Sequence, residues 1–155
     1  MKSSRLKPLI FLAIPLAVGG LAALFSAGSM DKFSALNQPL SPPGWLFPIV
    51  WGILYILMGT ASYIIYSSDA PEISKKKALG LYLVQLGFNF LWPILFFTFG
   101  LCTAAAVLIV ILWVLILLTL LYFYRISKTA GYLIIPYLLW VTFAAYLNIA
   151  ICIIN

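Results

Sequence analysis

Four stretches of this chain carry no charged side chain: residues 8–30, 33–68, 78–124 and 129–155. A helix rises about 1.5 Å per residue, so some 20 apolar residues cross the roughly 30 Å hydrocarbon layer of a bilayer. The first and last stretches hold one such span each. The third would be about 70 Å long as a single helix, more than twice the layer, and must double back. Gly100, within Phe99-Gly100-Leu101-Cys102-Thr103, is the helix breaker near its middle. The second opens with a proline-rich, partly polar segment and becomes continuously apolar only from Trp45. The pattern predicts helices near Leu6–Ala27, Trp45–Tyr66, Ala78–Phe99, Thr103–Tyr124 and Tyr132–Ile154, in a single domain over 1–155 with a loop at 28–44. This is an all-α integral membrane protein, a five-transmembrane-helix bundle.

Composition agrees. The chain is 65% hydrophobic and 8% charged, whereas a soluble domain is about one quarter charged. Five spans place alternate loops on opposite sides. Lys2, Arg5 and Lys7, then Lys75, Lys76 and Lys77, then Arg125 and Lys128 fall on one side, and Lys32 on the other. That asymmetry predicts a multi-pass protein of the cell membrane with its N-terminus cytoplasmic and its C-terminus outside. The first apolar run is longer than a signal-peptide core and no clear small-x-small site follows it, so it reads as a retained helix. The net charge of +6 does not indicate a nucleic-acid partner, because topology already explains the basic clusters. Membrane lipid, through anionic head groups, is the expected contact.

Polar and aromatic groups enter the spans at helical spacing. Phe47, Trp51, Tyr55 and Met58 share one helix face; Tyr82, Gln85, Asn89, Trp92 and Phe96 share another; Tyr137, Trp140, Ala144 and Asn148 a third. Amides facing hydrocarbon are costly, so Gln85, Asn89 and Asn148 are expected to point inward. Each stripe alone is also what plain packing produces. By depth, Trp51, Trp92 and Asn148 fall in the outer half and Asn89 and Trp140 near the centre, so the three stripes are expected to line one cavity. Gln38, Pro39, Pro42 and Pro43 would form a semi-rigid lid above it. Trp113, alone among Leu, Ile and Val, is expected to pack or face lipid. Cys102 and Cys152 sit at the outer ends of helices and are within conceivable reach, but cysteines among apolar neighbours ordinarily act as small buried hydrophobes.

The runs P-P-G-W-L-F-P-I-V-W-G-I-L-Y (42–55), Y-L-V-Q-L-G-F-N-F-L-W-P-I-L-F-F (82–97) and P-Y-L-L-W-V-T-F-A-A-Y-L-N (136–148) resemble the translocator protein family, also called tryptophan-rich sensory proteins or peripheral-type benzodiazepine receptors. The resemblance covers essentially the whole chain and points to a bacterial member. It implies a bundle, often a homodimer, with a pocket under the first loop that binds porphyrins, notably protoporphyrin IX, and benzodiazepine or isoquinoline ligands. By motif the pocket residues would be Trp51, Asn89 and Trp140, with Gln85, Phe47, Tyr55, Phe88, Ala144 and Leu147 around them and Gln38 from the lid. The stripes add Trp92 and Asn148. Animal members carry a Leu/Val-Tyr-Lys/Arg sterol pattern at the end of the fifth helix; here no basic residue follows Lys128.

The chain has no histidine, and Asp31, Asp69 and Glu72 all lie in predicted loops. An intramembrane acid–base pair is therefore not expected, nor a metal site or resident cofactor; porphyrin would be ligand or substrate. The resemblance also implies light- and oxygen-dependent porphyrin breakdown, with Trp51 and Trp140 as stacking partners or electron donors. Two readings stay open: a tetrapyrrole-binding receptor or sensor with such activity, and a transporter of porphyrins or other lipophilic molecules.

Overall fold

The computed structural model describes residues 2–26 and 46–154. Five helices in it are long and apolar enough to span a membrane. They are α1 (Lys2–Ser26), α2 (Leu46–Ser67), α3 (Glu72–Pro93, continuing as a π-helical turn over Ile94–Thr98), α4 (Cys102–Ile126) and α5 (Lys128–Ile154). The 28–44 loop with Gln38, and the side chain of Phe47, lie outside the described residues.

Three helices begin four or more residues earlier than hydropathy predicts, among them α1, at Lys2 and not near Leu6. α3 starts at Glu72, not near Ala78, and α5 at Lys128, not near Tyr132. Lysine is a good helix former and costs little at a wet helix end, so Lys75–Lys77 extend α3 outward where a loop was expected. Pro71, at φ −54° and ψ 142°, sets the start, and Glu72 places its carboxylate on the positive end of the helix dipole. At the other end of α3, Pro93 lacks the N–H that would continue the ladder. The register slips to i→i−5, with the Phe99 N–H reaching the Ile94 carbonyl at 3.0 Å. Gly100 at φ +63° reverses the chain, and the Leu101 N–H closes the turn on the Leu95 carbonyl at 2.9 Å.

The helices pack in the cyclic order α1, α2, α5, α4, α3 and back to α1. The Lys7 ammonium lies 5.6 Å from the centre of the Tyr66 ring, joining the start of α1 to the end of α2. At the opposite end the Thr98 hydroxyl donates to the Phe25 carbonyl at 2.8 Å, tying α3 to α1. Cys102 and Cys152, expected as buried hydrophobes, are instead disulfide-bonded. Antiparallel α4 and α5 bring the start of one beside the end of the other, leaving the two Cα atoms 5.7 Å apart.

The bundle is apolar outside. Leu24, Ile53, Leu83, Val107, Leu139 and Ile153 are exposed, while the buried polar side chains include Ser62, Gln85, Asn89, Thr119 and Asn148. In water this arrangement would be inverted; in lipid it is the stable one, because polar groups have partners only inside. Thr60, Ser62, Thr119 and Thr142 return their hydroxyls to carbonyls one turn earlier at 2.8 Å. Met58, Ala61, Ile65, Ile116, Phe123 and Val141 fill the apolar core.

Gly59 lets α1 touch α2 backbone to backbone: a Cβ there would fall 2.7 Å from the Phe11 carbonyl oxygen and 2.9 Å from Leu12 Cα. Gly59→Ala should therefore destabilise the bundle by about 1–3 kcal/mol, the usual cost of overpacking. Gly20→Ala, where nothing lies within 4 Å, should be neutral or slightly stabilising. Thermal unfolding of the two variants in detergent checks this; equal midpoints would mean that α1 does not seat on Gly59.

Candidate functional site

The middle of the bundle is polar because α2, α3 and α5 each turn an amide or a phenol toward the others. Tyr55 follows Trp51 by one turn on α2, Asn89 follows Gln85 by one turn on α3, and Tyr137 precedes Trp140 on α5. The result is a continuous hydrogen-bonded chain across three helices. The Tyr55 hydroxyl donates to Asn89 Oδ1 at 2.7 Å, Asn89 Nδ2 donates to the Tyr137 hydroxyl at 2.8 Å, and that hydroxyl donates to Gln85 Oε1 at 2.6 Å. Gln85 Nε2 then faces Met58 Sδ at 4.0 Å. All four side chains are buried.

Each bond in such a chain polarises the next, which favours one orientation of both amides. The hub is Tyr137, which both accepts and donates. Its place on the α5 stripe was visible in the sequence, but its role as hub was not, because spacing gives a face and not a partner. The α1 side is closed by Gly19, where any Cβ would collide with the Tyr55 ring. The absent side chain lets α1 lie against the ring whose hydroxyl begins the chain.

The tryptophans flank this network. The Trp51 ring stacks on Tyr55 at 5.6 Å between centroids, meets Tyr137 edge-on at 6.3 Å and meets Trp140 edge-on at 6.4 Å with an interplanar angle of 88°. Trp140 leans on Phe143 at 5.4 Å. Trp51, Trp140 and Phe88 are half-buried, so an aromatic wall remains accessible beside a buried polar floor. Ala144 and Leu147 are buried in the apolar core on α5.

Trp92 and Asn148, expected to line the same cavity, are bonded to each other. Trp92 Nε1 donates to Asn148 Oδ1 at 2.9 Å, and Asn148 Nδ2 donates to the Cys102 carbonyl at 3.1 Å. Their hydrogen bonds run to each other and to the disulfide end of the bundle, not to the Tyr137 group. Asn148 is eleven residues beyond Tyr137 on α5, about 16 Å along the axis. Trp113 donates to Thr142 Oγ1 at 2.7 Å, a bond between α4 and α5 made on the exposed side.

A family model described as the TspO/MBR family matches residues 11–154. The chain is 39% identical over 152 residues to the tryptophan-rich protein TspO of Chlorobaculum tepidum, covering 93% of this chain and 96% of that one. It is 33% identical to the tryptophan-rich sensory protein of Cereibacter sphaeroides, over 90% of this chain and 87% of the relative. Against the translocator protein of Bos taurus it is 34% identical, over 89% and 83%.

Removing the hub should cost more than removing the start of the chain. Tyr137→Phe strands both Asn89 Nδ2 and Gln85 Oε1, each a buried polar group, for a loss of about 1–3 kcal/mol. Tyr55→Phe strands only Asn89 Oδ1 and should cost less. Unfolding midpoints in detergent rank the two variants, and a Tyr55→Phe variant as unstable as Tyr137→Phe would contradict the hub.

Proposed function

This chain belongs to the TspO/MBR family, and from that premise we propose that it is a receptor for protoporphyrin IX, holding the flat macrocycle against Trp51 and Trp140. Membership of the family supports a membrane sensor- or receptor-type role; the ligand is the step beyond it. The observation that carries the proposal is the pair of half-buried indoles on α2 and α5, 6.4 Å apart, beside a buried floor of hydrogen-bonded phenols and amides. A large apolar π-system gains most from such a wall. The Tyr55, Asn89 and Gln85 groups, and benzodiazepine- or isoquinoline-type ligands that present a carbonyl to them, fit the same setting. Gln38 and Phe47 belong to the proposed site by motif.

Buried amides and phenols offer no carboxylate or imidazole for acid–base catalysis. The chemistry open to the site is photochemical: a light-excited porphyrin takes one electron from Trp51 or Trp140, the reduced ring adds dioxygen, and the oxygenated ring returns the electron to the indole cation radical, so that one porphyrin and one dioxygen give one oxygenated ring. The protein's part is orientation and exclusion. Transport is the second reading, supported by the name of the Bos taurus relative. Against ion-coupled transport, no buried side chain among the described residues is a carboxylate or a base.

The charge asymmetry supports a cytoplasmic N-terminus. The disulfide adds independent support, since such bonds persist in oxidising compartments and this one lies at the end of the bundle opposite Lys7, Lys75–Lys77, Arg125 and Lys128. No nucleic acid is proposed as partner. A homodimer is proposed by resemblance.

The experiment is light-driven porphyrin loss in Trp51→Phe, Trp140→Phe and the double variant. Phe retains most of the stacking, on the order of 1 kcal/mol for an aromatic pair, but is far harder to oxidise. Binding should therefore persist while degradation falls sharply. Trp113→Phe is the control, its indole serving Thr142. Near-normal degradation in the double variant would remove the indoles from the chemistry. Equal loss in all three single variants would refute the pocket assignment.

A further inference from the structure

The chain has two cysteines, and their disulfide is joined to a tryptophan by one amide. Cys102 opens α4 and Cys152 lies on the last turn of α5. Asn148, one turn before Cys152, places Nδ2 3.4 Å from Cys152 Sγ and 3.7 Å from Cys102 Sγ while donating to the Cys102 carbonyl at 3.1 Å. Its Oδ1 takes the Trp92 indole N–H at 2.9 Å. Asn148 has no exposed surface and Trp92 only 6%. Trp92 in turn stacks on Phe96 of the π-helical turn, with centroids 5.3 Å apart and rings 11° from parallel. One turn back along α3 lies Asn89, in the Tyr137 network. Disulfide, Asn148 and Trp92 thus form a bonded path that ends on α3, the helix that also carries Asn89.

We propose that Cys102–Cys152 is a redox-responsive clasp that regulates the intramembrane site, acting through Asn148 on Trp92; its ligand readout rests on the porphyrin reading above. Both sulfurs belong to half-buried residues at helix ends, where a reductant in the adjoining aqueous layer can reach them. A dithiol supplies two electrons and two protons. One of its sulfurs attacks a cysteine sulfur, breaking the S–S bond and releasing the other cysteine as a thiol; its second sulfur then attacks the first in that mixed disulfide and releases the remaining cysteine thiol, leaving the dithiol in its disulfide form.

Cys102 opens α4 two residues after the Gly100 reversal, and this bond and the Asn148 amide tie that first turn to the end of α5. Once the S–S bond is broken, the Cys102 carbonyl and both sulfurs are free to leave Asn148. The amide can then turn, and Trp92 loses the acceptor that fixes its ring against Phe96. A clasp that only added stability would not need an amide shared between sulfur and indole. In lipid, moreover, the unfolded chain keeps its helices, so constraining it contributes less than in water.

The test uses the full-length protein in detergent, oxidised and after reduction with dithiothreitol. Alkylation followed by intact mass should add nothing to the oxidised form and two groups to the reduced one. Trp92 emission, taken as wild type minus Trp92→Phe, should shift and gain access to a soluble quencher on reduction. The Cys102→Ser/Cys152→Ser variant should match reduced protein whether or not dithiothreitol is present. Protoporphyrin IX should bind about five-fold more weakly to the reduced form, at the low end of site-to-site coupling. Alkylation of both cysteines without reduction, an unchanged Trp92 signal, or equal porphyrin affinity in the two forms would each overturn the clasp. If porphyrin binds neither form, the ligand reading fails, and the Trp92 signal alone decides the clasp.

Discussion

Lipid offers a backbone or side-chain dipole nothing to bond with, and this one constraint organises the molecule. Backbone groups are satisfied within helices, and every amide in the spans must find its partner inside the bundle. Gln85 and Asn89 do so through Tyr137 and Tyr55, and Asn148 through Trp92 and the Cys102 carbonyl. These bonds are individually small in membranes, about 0.6 kcal/mol on average. Their weight lies in direction: they fix which faces of α2, α3, α4 and α5 meet, and so which aromatics stand beside them.

The same constraint separates floor from wall. Phenols and amides that satisfy one another are buried, and the indoles next to them are left half-buried on α2 and α5. Indoles are well suited to that border, presenting an apolar face with a single donor at one end. Glycine does the complementary work, since Gly59 and Gly19 let α1 lie against backbone and ring where any side chain would intrude. The bundle is held closely on one side and is pinned at its far end by Cys102–Cys152, beside the π-helical turn and the Gly100 reversal.

Much of this was legible in the sequence, for a physical reason. Charge-free stretches measured against the thickness of hydrocarbon give the number of helices directly, and Gly100 marks the one reversal without charge. Amide spacing on α3 likewise predicts inward-facing Gln85 and Asn89, which are buried. Helix ends were less legible: Lys75–Lys77 and Lys128 are polar yet helical, because hydropathy detects the edge of the lipid and not the end of the hydrogen-bond ladder. Partners were hidden altogether. Nothing in one-dimensional spacing couples Tyr137 to Asn89, or sets Asn148 beside a disulfide 50 residues in span; those depend on which helices are neighbours and in what rotation.

The central claim is that Trp51 and Trp140 beside the Tyr137 network make a discrete receptor site, not merely a greasy surface. The direct measurement is a titration of purified protein with metal-free protoporphyrin IX in the dark, following the porphyrin absorption band and tryptophan quenching together. A discrete site predicts saturation at one porphyrin per chain, with band shift and quenching reaching completion together, and displacement by a benzodiazepine- or isoquinoline-type ligand. Non-saturating uptake that scales with detergent and resists displacement would contradict it.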